Sequence, residues 1–123
     1  MFVGYPTVFP HDGDHCTYGN LLQGATIAPA DMAFLAGQID HINEVIRSAV
    51  EGYGDTFVDT ATSSRSHDFC RSGADKWMFG ATGNGVGANG KPFRATVFHP
   101  NERGAVNQTT QVTKAIRDLG LIG

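Results

Sequence analysis

The chain has 123 residues, 41% of them hydrophobic, with 16 glycines, 5 prolines and a net charge of −3. That length supports one domain with a core of its own, not two. The acidic balance gives no electrostatic case for nucleic acid or anionic lipid, and no apolar run approaches the roughly 20 residues of a membrane span.

Met1 to Phe9 reads as a short buried strand, with Met1, Phe2, Val3, Tyr5, Val8 and Phe9 punctuated by Gly4 and Pro6. The run lacks the basic start and long apolar stretch of a signal peptide. Pro10 to Thr26 reads as a polar loop. From Pro29 to about Val50 the apolar residues Met32, Leu35, Ile39, Ile42, Val45, Ile46 and Ala49 recur at steps of three and four, which predicts a helix. Pro29 and Asp31 suit its start, and Gly52 and Gly54 suit its end. Asp55 to Thr60 predicts a short β-branched strand. Ala61 to Arg94 is expected as a long glycine-rich loop. Ala105 to Leu119 predicts a closing helix with Val106, Val112, Ala115, Ile116 and Leu119 on one face, stopped by Gly120. Strand, helix, strand, loop, helix points to an α/β fold with a parallel sheet. Two strands make no stable sheet, so the pattern is that of part of a doubly wound domain, with its site at the carboxyl ends of the strands.

Several clusters carry candidate chemistry. His11, Asp12, Asp14, His15 and Cys16 are potential ligands, but their spacing fits no standard zinc pattern, and a polar loop is the preferred reading. Gly83, Gly85 and Gly87 resemble a phosphate cradle only in composition, with no Gly-Lys-Ser/Thr to close it. Ser63, Ser64, Ser66 and Ser72 stand in no Gly-x-Ser-x-Gly elbow and read as solvated loop serines. His67 and Asp68 precede Cys70 and read as loop structure. Cys16 and Cys70 are either two separate buried thiols or one disulfide of an oxidising compartment. His99 sits on a turn fixed by Pro100, with Asn101 and Gly104 leading into a helix. Imidazole as a side-chain type suits proton transfer at neutral pH. A histidine base needs a nucleophile, and no candidate stands out in this chain.

Taken in order, these landmarks resemble the carboxyl-terminal portion of the secreted bacterial SGNH hydrolases, also called GDSL esterases and lipases. The matching residues are Gly4-Tyr5-Pro6 with Phe9-Pro10, Cys16 ahead of a long helix, and Phe57-Val58-Asp59. They continue with Ser66-His67-Asp68-Phe69-Cys70, Trp77, and Phe98-His99-Pro100-Asn101-x-x-Gly104. The resemblance covers essentially the whole of residues 1–123. It implies a partial flavodoxin-like, three-layer α/β/α domain with a parallel sheet. It implies a Cys16–Cys70 disulfide, secretion, His99 as catalytic base, Trp77 on the substrate-side loop, and no metal or organic cofactor. The implied reaction is ester hydrolysis through a seryl acyl-enzyme, on a small-molecule or lipid ester.

Two departures from that family qualify the reading. The residue three before His99 is Thr96 rather than an aspartate, so the backbone carbonyl of Val97 is the candidate for orienting the imidazole. The Gly-Asp-Ser nucleophile block and the oxyanion glycine and asparagine are absent; Gly13-Asp14 is followed by His15. The expectation is a fragment that needs the missing amino-terminal half of its domain and is inactive alone. The rival reading is a non-catalytic extracellular carbohydrate- or polymer-binding module that uses Trp77, Tyr53 and Tyr18 as stacking surfaces. A metal-dependent hydrolase built on His11, His15 and His99 is the third.

Overall fold

The computed structural model describes residues 1–12, 15–20, 27–81, 84–86, 92–94 and 96–122. In chain order it forms β1 (Phe2–Val3), α1 (Pro29–Gly52), β2 (Phe57–Val58), α2 (Ala61–Ser64), a 3-10 turn (Gly73–Asp75), β3 (Asn84–Val86), β4 (Pro92–Arg94) and α3 (Glu102–Asp118). β1 pairs with β2 in parallel, Phe2 opposite Phe57 and Val3 opposite Val58. With α1 as the crossover, this is one β–α–β unit, and α3 also packs on β2. The fold is thus mixed α/β with a two-stranded parallel sheet. No helix among the described residues is long and apolar enough to cross a membrane.

The expected buried first strand is instead exposed at Phe2, Val3 and Tyr5. β1 is hydrogen-bonded on one side only, through Phe2 N to Thr56 O and Gly4 N to Val58 O. Its other edge carries no strand among the described residues. Where β1 ends, Asn43 of α1 takes over the pairing. Its Oδ1 accepts from Tyr5 N at 2.7 Å and its Nδ2 donates to Tyr5 O at 2.8 Å. Gly4 is needed beneath that clamp, because a Cβ there meets the Phe57 ring and Asn43 Oδ1.

That clamp sets the face of α1. Met32, Ala36, Asn43 and Val50 are buried, whereas Ile42 and Val45, expected on the inner stripe, are exposed. α3 departs in the same way. Gly104 and Asn107 are buried, and Val106 and Leu119 are exposed. It also starts at Glu102, three residues ahead of the expected boundary, because the Asn101 side chain caps it.

The expected loop from Ala61 to Arg94 contains structure. Asp59 Oδ1 accepts from Ala61 N and Thr62 N and turns the chain into α2. Ser64, expected in solvent, is buried there; it donates to Thr60 O at 2.7 Å and accepts from Thr7 N at 2.8 Å. β3 and β4 pair antiparallel, so the stretch Asn84–Val86 within the supposed cradle is a strand. Gly83, Gly87, Gly13 and Asp14 lie outside the described residues.

The core is small: Val8, Met32, Phe69, Cys70 and Met78 are buried together, with Phe9, Cys16, Ile27, Ile39 and Phe98 packed against them. Phe9, Phe69 and Phe98 form a triangle of rings with centroids 5.1 to 5.5 Å apart. Cys16 and Cys70 are joined as a disulfide that spans 54 residues of sequence and fastens the loop before α1 to this core.

Candidate active site

His99 is presented by a turn that three local features define. His99 N donates to Thr96 O at 3.3 Å, closing the turn. Phe98, half-buried against Phe9 and Phe69, is the one non-glycine residue with positive φ among the described residues, at 57°. A bulky side chain rarely adopts that conformation, and here the aromatic core holds it. With Phe98 pointing inward, His99 is left exposed. Its Nδ1 lies 3.0 Å from the carbonyl oxygen of Val97. A carbonyl only accepts, so the contact selects the Nδ1–H form and leaves the lone pair of the neutral ring on Nε2. Among the described residues no hydroxyl or thiol is hydrogen-bonded to His99.

The residues after His99 anchor the turn. Phe79 N donates to His99 O at 2.8 Å, Asn101 N donates to Trp77 O at 2.8 Å, and Met78 bridges Pro100 in antiparallel register. Asn101 Nδ2 also donates to Lys76 O, while its Oδ1 accepts from Arg103 N and Gly104 N. One side chain therefore ties the turn to residues 76–78 and caps α3. Gly104 completes the fit, since a Cβ there would run into the Trp77 carbonyl and Pro100 Cβ. The Pro-Asn-x-x-Gly sequence has a physical cause: a cap, and a close approach only glycine permits.

Trp77 is set by its own contacts. Its ring stacks on His67 at 3.5 Å with 4° between planes, and its indole N–H donates to Ala74 O. His67 Nδ1 in turn contacts Asp75 O at 3.0 Å. Asp68 is wholly buried beside the disulfide. It accepts from Cys70 N at 2.9 Å and pairs with His15 Nε2 at 3.1 Å and Arg71 Nε at 3.4 Å. Burial pulls the nearby Lys76 ammonium below its ordinary range, and the Asp68 carboxylate works against that shift.

The histidines expected as possible metal ligands are not brought together. His11 Nε2 takes Asp40 at 2.8 Å, whereas His15 is shared between Asp68 and Asp12. Among the described residues no group of three or more His, Cys, Asp or Glu side chains is placed to hold a metal ion. The Asp68–His15 pair and the Asn43 clamp escaped sequence reasoning, because their partners lie 53 and 38 residues apart. Asn101 had a visible signal, being an N-cap residue directly before a helix.

No family model matches the chain. Over 76 residues, 62% of its length, it is 30% identical to Lipase 2 of Streptomyces coelicolor, and the matched stretch is 24% of that protein. The chain thus spans about a quarter of the relative it matches, and the relationship is distant and lipase-like.

Proposed function

We propose that this chain is the base-bearing carboxyl-terminal part of an SGNH-type carboxylic-ester hydrolase. The observation that carries the reading is the His99 turn, with Nδ1 held by the Val97 carbonyl, which leaves the lone pair of the neutral ring on Nε2. The similarity to a lipase supports the reaction class. The Cys16–Cys70 disulfide supports an oxidising, extracellular setting. The parallel β–α–β unit with an uncovered β1 edge supports a sheet that continues in a doubly wound, three-layer domain.

In this reading a serine on the amino-terminal half attacks the ester carbonyl. His99 Nε2 accepts the hydroxyl proton as the C–O bond forms, then delivers it to the departing alcohol. The same nitrogen deprotonates water, which cleaves the acyl-enzyme and returns the proton to serine. The carbonyl of Val97 keeps Nδ1 protonated throughout and accepts from the transient imidazolium. It supplies direction without a full negative charge, the role a carboxylate plays in other triads. The missing half also supplies oxyanion donors, and no metal or organic cofactor takes part.

The test is hydrolysis of p-nitrophenyl butyrate by the chain alone and by the chain joined to the coding sequence upstream of Met1. The upstream frame is expected to carry Gly-Asp-Ser. The chain alone is expected to be inactive and the joined protein active, with His99→Ala lowering kcat by at least about a thousandfold. Activity of the joined protein that survives His99→Ala sinks the assignment.

A further inference from the structure

Beside the His99 turn lies a groove of about 540 Å³ lined by Trp77, Glu102, Arg103, Val106, Asn107 and Thr110. That volume is in the range of small-ligand sites. Asn107 is the informative member. Its residue is 9% exposed, and its amide nitrogen is buried with no hydrogen-bond partner. A buried amide donor without an acceptor is rare and calls for an explanation. Glu102 and Arg103, although adjacent, enter no ion pair with another described residue, and both are exposed.

The lining restricts what fits. An anion facing Arg103 also faces Glu102, and a cation meets the reverse conflict. An acyl chain covers Val106 and the indole but leaves the Asn107 amide, Glu102 and Arg103 desolvated without partners. A neutral polyhydroxylated ring satisfies all of them. Its C–H face packs on Trp77 and Val106, its hydroxyls accept from Arg103 and donate to Glu102, and the Asn107 amide, turning toward the groove, gains in a further hydroxyl the acceptor that Nδ2 lacks. Trp77 is prepared for this, because His67 and the Ala74 carbonyl already fix its ring. Tyr18 and Tyr53, the other aromatics expected as stacking surfaces, do not line the groove.

We propose that this groove is a saccharide-binding site, built on Trp77, Asn107 and Arg103. Trp77 O to Asn101 N and His99 O to Phe79 N place it directly against the His99 turn. The site itself does not depend on ester chemistry. Only one consequence rests on the esterase reading: a sugar held here makes the substrate an acylated carbohydrate.

The test titrates the full 123-residue chain, disulfide intact, with xylohexaose and with cellohexaose. Trp77 is the single tryptophan of the chain, so its fluorescence reports the site directly. Saturable binding with a Kd below about 1 mM is expected for at least one of them. Asn107→Leu and Arg103→Ala are each expected to weaken it by about tenfold or more, with circular dichroism and the melting temperature confirming the fold. His99→Ala is expected to bind as the parent does, so a failed hydrolysis test leaves this result standing. The proposal is overturned if neither oligosaccharide shifts the fluorescence up to about 10 mM. It is equally overturned if folded Asn107→Leu binds undiminished, or if octanoate saturates the groove while both sugars fail.

Discussion

Phe98 and Gly104 divide between them the task of holding His99. Phe98 accepts a positive φ of 57° because its ring is needed in the core, and the backbone reversal turns His99 outward. Gly104 lets the first turn of α3 close on the Trp77 carbonyl. Gly104→Ala is therefore expected to cost about 1–3 kcal/mol by overpacking against backbone that cannot yield. A urea melt of the variant measures it. The hydrogen bond from Asn101 to Trp77 is the contact expected to open, so the Asn101 amide should lose hydrogen-exchange protection before those of α1. A Gly104→Ala protein as stable as the parent would show that the turn and residues 76–78 are not tightly docked. This part of the candidate site was legible in the sequence because it is local. His99, Val97, Pro100, Asn101 and Gly104 lie within eight positions of one another, and turn chemistry acts over that range. The docking of Trp77 was not legible, because its backbone hydrogen bond joins residues 24 apart.

Elements were legible where periodicity and stop signals agreed. α1 and α3 both carry a helical repeat with glycine beyond the end, and both are present. What periodicity did not give was the buried face. In α1 a polar residue, Asn43, holds the central inward position because the end of β1 needs partners for both backbone groups of Tyr5. The β3–β4 hairpin escaped because glycine masks strand propensity. The join between β2 and α2 shows how charge sharpens an element boundary. Burial raises the Asp59 carboxyl, but hydrogen bonds from the Thr62 backbone and hydroxyl and from Ala61 N, with Arg47 nearby, outweigh it and hold it below the ordinary value of 3.8. A lowered carboxyl contributes stability that is full above its unfolded pKa and is lost as pH falls through the folded one. The urea midpoint is thus expected to fall as pH drops below about 4, and Asp59→Asn to flatten that acid limb. At neutral pH the variant is expected to be the less stable protein. An unchanged acid limb in Asp59→Asn would assign the loss to another carboxylate.

At the scale of the whole molecule the balance is between a small core and a long-range tie. Among the described residues five, Phe69 included, are buried together, and one edge of the only parallel sheet carries no second neighbour. A two-stranded sheet with so few buried side chains is marginal. The disulfide acts on the other side of the equilibrium. Joining Cys16 to Cys70 closes a loop of 54 residues in the unfolded chain, worth about 4 kcal/mol by loop-closure entropy. It also holds the His15–Asp68 pair and the Asp68–Cys70 backbone bond in one place, since Cys16 and Cys70 directly follow or lie beside those residues. Reduction is therefore expected to do more than lower stability uniformly. With dithiothreitol the urea midpoint is expected to fall by the equivalent of about 4 kcal/mol or more. Asp68, freed from His15, becomes a buried carboxylate with less compensation, which adds to the loss. Cys16→Ala/Cys70→Ala should reproduce the reduced protein. Adding His15→Ala to that pair should cost less than it does in the oxidised chain, because the two effects share the same segment. Equal costs of His15→Ala with and without the disulfide would show that the tie and the buried pair act independently. The core around Phe69, Phe9 and Phe98 would then hold the His99 turn without help from the loop that precedes α1.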